Sequence, residues 1–185
     1  MKSIKKDFLT LIFTVFCVFL SHAKVQDFDI AIDLFEKKQY LLAQSLFQQL
    51  NSDQALFYNA KCSKNLFADD AKELFAKLIN DFPNSIFCDE ANLCLADIYY
   101  NQQDFNSAIN YFKISVDQLS FSQYFKLAYS YFQIDSLVSA KHFFSKLLLV
   151  ESEYQSASKY YFAHISYKSK NYQTALKWFK QLEND

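Results

Sequence analysis

Catalysis and metal binding need particular side chains gathered at one point, and this chain offers few candidates. Two pairs of adjacent acids, Asp69 with Asp70 and Asp89 with Glu90, are the carboxylates that a hydrolase could use. Neighbours on a helix diverge by about 100°, so neither pair converges on one bond. Both pairs also fall near expected helix starts, where acids suit the macrodipole. His22 falls in an amino-terminal leader, and His142 and His164 stand alone, so each histidine reads as a partly exposed helical residue. There is no CxxC, no pair of histidines at ligand spacing, and no serine or cysteine nucleophile with a histidine at a recognisable interval. The expectation is therefore a protein that is not an enzyme, with no metal site and no cofactor.

Composition narrows the classes further. Glycine is absent and proline occurs once among 185 residues. Phosphate-cradling loops, dinucleotide fingerprints and tightly turned strands all draw on glycine, which leaves an all-helical chain. Arginine does not occur and the lysines are scattered, so neither a nucleic-acid partner nor a phosphate ligand is expected.

The elements that position these residues repeat. From Phe82 to Phe112 the sequence reads FPNSIFCDEANLCLADIYYNQQDFNSAINYF, two amphipathic runs separated by Asn101 to Asp104. Within this hairpin Ala96, Ala108 and Phe112 are spaced by 12 and then 4 residues, a spacing shared by Ala31, Ala43 and Phe47, by Ala128, Ala140 and Phe144, and by Ala163, Ala175 and Phe179. A further copy, Ala60, Ala71 and Phe75, is one residue shorter between its alanines. Small residues at the first two positions let paired helices approach, and the aromatic fills the space beside the next copy, so the triplet is packing. The expected copies span about 25–51, 53–80, 85–118, 121–150 and 154–185, with Asp53, Ser85 and either Asp135 or Ser136 as helix caps. After the last copy Ala175, Leu176, Phe179 and Leu182 form an apolar face with Trp178 nearby. Such an end is expected to continue into a longer array, or to be covered by a partner or a second copy.

Residues 1–23 read as a secretory signal. Lys2, Lys5 and Lys6 precede an apolar run from Phe8 to Leu20, and Ser21, His22 and Ala23 supply the processing site. That run falls short of the ~20 residues needed to span a bilayer, so no membrane span is expected after cleavage. Cleavage after Ala23 would move the formal charge from -1 to -3 by removing three lysines and Asp7. Cys17 goes with the leader, leaving Cys62, Cys88 and Cys94. An odd number leaves at least one thiol unpaired, and buried cysteine acts as a small hydrophobe.

The residues that carry the spacing also carry a family resemblance. Ala96, Tyr99, Ala108, Phe112 and Pro83 resemble the small, tyrosine, alanine, phenylalanine and proline positions of the tetratricopeptide repeat, with alanine in place of its first-helix glycine in every copy. The resemblance implies a right-handed α-solenoid of about five helix-turn-helix repeats. The stretch from Phe75 to Phe112 is similar to the periplasmic tetratricopeptide proteins of the Tol-Pal system and to the outer-membrane barrel-assembly lipoprotein. It implies an exported, periplasmic, non-catalytic scaffold that binds a protein or peptide partner, with peripheral association with an outer-membrane complex as its one link to a membrane. The family's geometry would place Phe57, Lys61 and Lys64, then Asp97, Tyr100 and Asn101, then Phe125, Tyr129 and Phe132, and finally Tyr160, His164 and Tyr167 on a partner-binding groove. Two other readings stand beside this one. The chain could be a structural spacer, the amino-terminal part of a longer array whose binding site lies elsewhere, or, less favoured, an envelope hydrolase.

Overall fold

A computed structural model of the chain describes residues 27–183, so the expected signal segment lies outside the described residues. The chain divides after Cys88 into two compact units. In the first, the helix at 27–36 (α1) is followed by α2 (Tyr40–Phe47), α3 (Asp53–Asn65) and α4 (Ala71–Asp81). The second holds α5 (Cys88–Asn101), α6 (Phe105–Ile114), a 3-10 turn at Val116–Gln118, α7 (Phe121–Gln133), α8 (Leu137–Leu147), α9 (Gln155–Lys168) and α10 (Tyr172–Leu182). No strand occurs among the described residues.

Several helices end or begin where local hydrogen bonding, rather than apolar periodicity, dictates. The periodic pattern runs to Leu50, but α2 closes at Phe47 because Gln49 and Leu50 donate three residues back, to Leu46 and Phe47, which tightens the last turn. Likewise the third copy was expected to run to 118, but its second helix, α6, stops at Ile114. Asp89 at the start of α5 accepts from Ser115 Oγ and Gln118 Nε2, both at 3.1 Å, and so holds the 3-10 turn. This acid is a structural tie. At α3 the cap is Ser52, whose hydroxyl accepts from Ala55 N; the expected cap, Asp53, accepts instead from Gln54 N at 2.8 Å and Ser85 Oγ at 2.7 Å. Ser85 also accepts from Phe87 N, within the turn that leads into α5. Ser120 and Gln123 form a reciprocal capping box on α7.

The alanine and aromatic triplets form the core. Ala31, Ala43 and Phe47 cluster with Cys62; Ala96, Ala108 and Phe112 cluster with Leu127; Ala128, Ala140 and Phe144 cluster with Ile165. Every alanine of the five triplets is buried. A larger side chain at any of them would separate the helix axes it joins.

Each hairpin turns without glycine. Lys38, Phe67, Gln103, Asp135 and Lys170 have φ between 55° and 61°, and each lies seven residues after the first alanine of its copy. In all five, this residue's N–H donates three residues back and the next residue's N–H donates five back, as in Gln103 N to Tyr100 O and Asp104 N to Tyr99 O, both at 3.0 Å. This paired closure is a Schellman motif. Left-handed backbone costs a residue with a Cβ about 1–2 kcal/mol. Two added hydrogen bonds, each worth about 1 kcal/mol net, offset that cost. The residue after the turn then serves as the cap of the next helix in four cases, with Asp104 accepting from Ser107 N and Asn171 from Thr174 N, while Gln39 and Ser136 cap without a side-chain bond.

The shortened copy keeps its alanine buried by local tightening. In four hairpins the second alanine donates four residues back to the cap, but Ala71 donates three back to Ala68. A turn of 3 residues instead of 3.6 absorbs the missing residue. If the left-handed turns carry strain, Lys38→Gly should raise unfolding stability by about 0.5–1 kcal/mol and Lys38→Val should lower it by about 1–2 kcal/mol. Urea unfolding curves would check this, and equal midpoints for the two variants would refute it.

Candidate partner-binding face

Within each unit, one position of an incoming first helix covers the preceding first helix. This is the residue two before the first alanine. In the first unit Tyr58 packs edge-on against Phe28 at 6.2 Å and Phe35 at 5.3 Å. In the second, Lys126 Nζ reaches Asp97 Oδ1 at 2.6 Å and lies 5.7 Å from the Tyr100 ring. Tyr161 does the same to Phe125 at 6.1 Å, Tyr129 at 5.5 Å and Phe132 at 5.2 Å. In the second unit the covered residues, Asp97, Tyr100, Phe125, Tyr129 and Phe132, are among those expected to line a groove, so much of that aromatic surface goes into joining one copy to the next.

The outcome differs residue by residue. In the first unit Phe57 is 1% exposed, stacked on Phe87 at 4.8 Å and edge-on to Phe75 at 6.3 Å. It is core and cannot line a groove, because its position on α3 points into the helix junction. Lys61 holds its ammonium 5.1 Å from the Phe57 ring and 5.7 Å from those of Phe35 and Tyr58, while Lys64 lies half-buried in the last turn of α3. In the second unit Phe125 stacks on Tyr129 and meets Phe144, Tyr154 and Tyr161 within 6.3 Å, again as packing. Phe132 and His164 lie together at 5.7 Å. Tyr160 and Tyr167 stay open, at 48% and 60% exposure.

An open cleft in the second unit lies beside some of these residues. It has a volume of about 360 Å³ and is lined by Tyr100, Asn101, Gln103, Phe105, Tyr129 and Gln133. The rings of Tyr100, Phe105 and Tyr129 form a mutually edge-on set at 6.0 to 6.1 Å. Tyr100, Tyr129 and Asn101 were expected here. Gln103, Phe105, Gln133 and the covering pair Lys126 and Tyr161 were not. Aligning the copies on their first alanine shows the covering position as a column of Tyr58, Cys94, Lys126 and Tyr161, which was the available signal.

Burial pushes the Tyr100 hydroxyl up to about 12, helped by repulsion from Tyr129, Tyr161 and Tyr154 when these ionise. Burial also raises Tyr161, with Tyr129 and Tyr160 adding to it and a hydrogen bond to Tyr129 favouring its neutral form. These phenols are therefore neutral hydrogen-bonding groups at neutral pH. Burial pushes the Cys62 thiol up to about 11, which makes it a poor nucleophile. No disulfide joins Cys62, Cys88 or Cys94, and Cys88 Sγ donates to Phe82 O at 3.2 Å. Among the described residues no group of three His, Cys, Asp or Glu side chains is placed to hold a metal, and no helix is long and apolar enough to cross a membrane.

Comparison with known proteins fits this geometry. The family profile of the tetratricopeptide repeat matches residues 39–85. That stretch runs from the start of α2 through α4 to the turn at Ser85. No curated protein matches the chain in sequence. Among solved structures, MamA AMB-1 superposes with a TM-score of 0.74 at 16% identity, covering 87% of this chain and 90% of that one. MamA 41-end from Desulfovibrio magneticus RS-1 gives 0.69 at 13% identity, with 87% and 93% covered, and a further MamA crystal structure gives 0.70 at 16%, with 86% and 89% covered. The chain thus has an all-helical tetratricopeptide-type repeat fold.

The raised Tyr100 pKa has a direct consequence for stability. The unfolded phenol ionises near pH 10, whereas the folded one keeps its proton to about 12, so folding stability falls as pH rises through this window. Tyr100→Phe should lose less stability than the wild type between pH 10 and 12 in urea unfolding. Parallel losses for the two proteins would mean that the hydroxyl is not buried as described.

Proposed function

We propose that this chain is an exported scaffold that binds an extended segment of a protein partner in the cleft of its second unit. The observation that carries the proposal is the lining of that cleft, three aromatic rings beside three side-chain amides. Amides of Asn101, Gln103 and Gln133 can both donate to and accept from a peptide backbone, and the rings can receive apolar side chains. Nearby charge is already neutralised, since Lys126 and Asp97 pair with each other. A segment recognised here would be bound by shape and backbone hydrogen bonds rather than by a charged terminus. The reading is non-catalytic, and the phrasing of Phe75 to Phe112 supports a place beside Tol-Pal or outer-membrane assembly proteins.

A second reading, a structural spacer within a longer array, is favoured by one specific observation. Phe57, Phe125 and Phe132 are occupied in packing.

The two readings separate in a pull-down from envelope extract with the full chain as bait, compared with an Asn101→Ala, Gln133→Ala double variant. Both residues are exposed, so the fold should be unchanged. A captured protein whose retention drops at least about tenfold in the double variant is the expected result. Equal capture, or none by either bait, would sink the cleft and favour the spacer. Export has its own test. Chain recovered from the periplasmic fraction should begin at Lys24 by mass spectrometry, and recovery with Met1 intact in the cytosol would refute the localisation.

A further inference from the structure

The residue just after the second alanine of a copy differs in chemistry from one joint to another. Where α6 meets α7 it is Ile109, buried with Leu127 in one apolar cluster. Where α2 meets α3 it is Gln44, whose Nε2 donates to the Oγ of the buried Ser63 at 2.6 Å. In each of these joints the side chain finds its partner on the next helix. Where α8 meets α9 the position holds Lys141, and Ser166, which matches Ser63, donates instead to Phe162 O at 2.8 Å. This joint stays open.

The opening is a hollow of about 430 Å³ between α8 and α9. Leu137, Val138, Phe162 and Ile165 give it apolar walls, and Lys141 and His142 stand among them. Phe162 matches the fully buried Leu127, yet it is only half-buried, with Trp178 edge-on behind it at 5.8 Å. Val138 is 87% exposed. A concave site of this size receives a bulky apolar side chain.

Charge decides what brings that side chain. Lys141 Nζ lies 4.8 Å from the Phe162 ring, and among the described residues it forms no ion pair. No carboxylate lines the hollow, and none occurs in α8 or α9. Asp135, the acid that precedes α8, is taken by Lys168 at 3.0 Å. An ammonium set among apolar walls without a counter-charge is complementary to a ligand that carries a carboxylate beside an apolar group.

We infer that this hollow is a second docking surface, for an acidic protein segment. The segment lowers an aliphatic or aromatic side chain between α8 and α9 and sets a neighbouring carboxylate on Lys141 Nζ. The surface does not depend on the cleft at Tyr100 and Tyr129. A partner could engage either one alone.

Selection of a random peptide library displayed on phage against the full chain tests this. Enriched peptides should carry Asp or Glu next to a large apolar residue, and added salt should weaken them. Val138→Glu sets an acid at an exposed position of the hollow, and Lys141→Glu reverses its charge; each should weaken these peptides at least about tenfold, while Lys141→Arg should keep them. They should bind the Asn101→Ala, Gln133→Ala variant as they bind the wild type. Enriched peptides without acids, or indifferent to Val138→Glu and Lys141→Glu, would overturn the inference. So would no enrichment at all, or peptides lost only in the Asn101→Ala, Gln133→Ala variant, which belong to the cleft. Co-sedimentation with phosphatidylglycerol vesicles that Lys141→Glu abolishes, with no acidic peptide enriched, would replace the protein segment by an anionic lipid surface.

Discussion

The distance between the axes of two paired helices is the quantity on which this structure rests. Alanine sets it at both positions of each pair, and the seven residues from the first alanine to a left-handed turn residue fix where the chain reverses. Once those intervals are set, every other residue of a copy has its environment assigned. The turn achieves reversal without glycine, at a strain that two backbone hydrogen bonds offset. Phe67 shows how firm the requirement is, since a bulky residue that is 93% exposed is held at a positive φ where nothing in its own contacts would place it.

The same constraint separates packing from binding. A first helix presents one stripe toward the following copy, and the following copy spends a single side chain to cover it. Where that side chain is large and aromatic, as Tyr161 is, it seals Phe125 and Phe132 into the junction. Lys126 in the same position leaves more room. It satisfies Asp97 with a short ion pair, and the polar helix ends nearby, Asn101, Gln103 and Gln133, stay open beside Tyr100 and Tyr129. The cleft thus accompanies the lysine at this variable position of a repeated joint.

Much of this was legible in the sequence, because periodicity and a repeated triplet report which side of a helix is buried. The helix pairs from α1 to α10 and the packing role of the alanines follow from those patterns alone. Three features did not. The choice of Ser52 over Asp53 as cap depended on Ser85, 32 residues away, engaging the aspartate. The end of α6 depended on Asp89 reaching back to Ser115 and Gln118. The burial of Phe57 depended on Phe87, which the spacing within one copy cannot reveal. In each case a residue distant in sequence decides, and a helical wheel has no view of it.

Repeat packing also makes energy additive along one direction. Each copy contributes its own hairpin and one joint to the next, so a joint lacking its partner leaves apolar area in water. At about 25 cal/mol per Å² that exposure is a standing cost, and burying it is a standing driving force. Ile30, Tyr160 and Tyr167 are exposed apolar or aromatic side chains of this kind. Charge near these side chains is partly paired within the chain, Asp33 with Lys37 and Lys168 with Asp135, so it adds little direction to such burial.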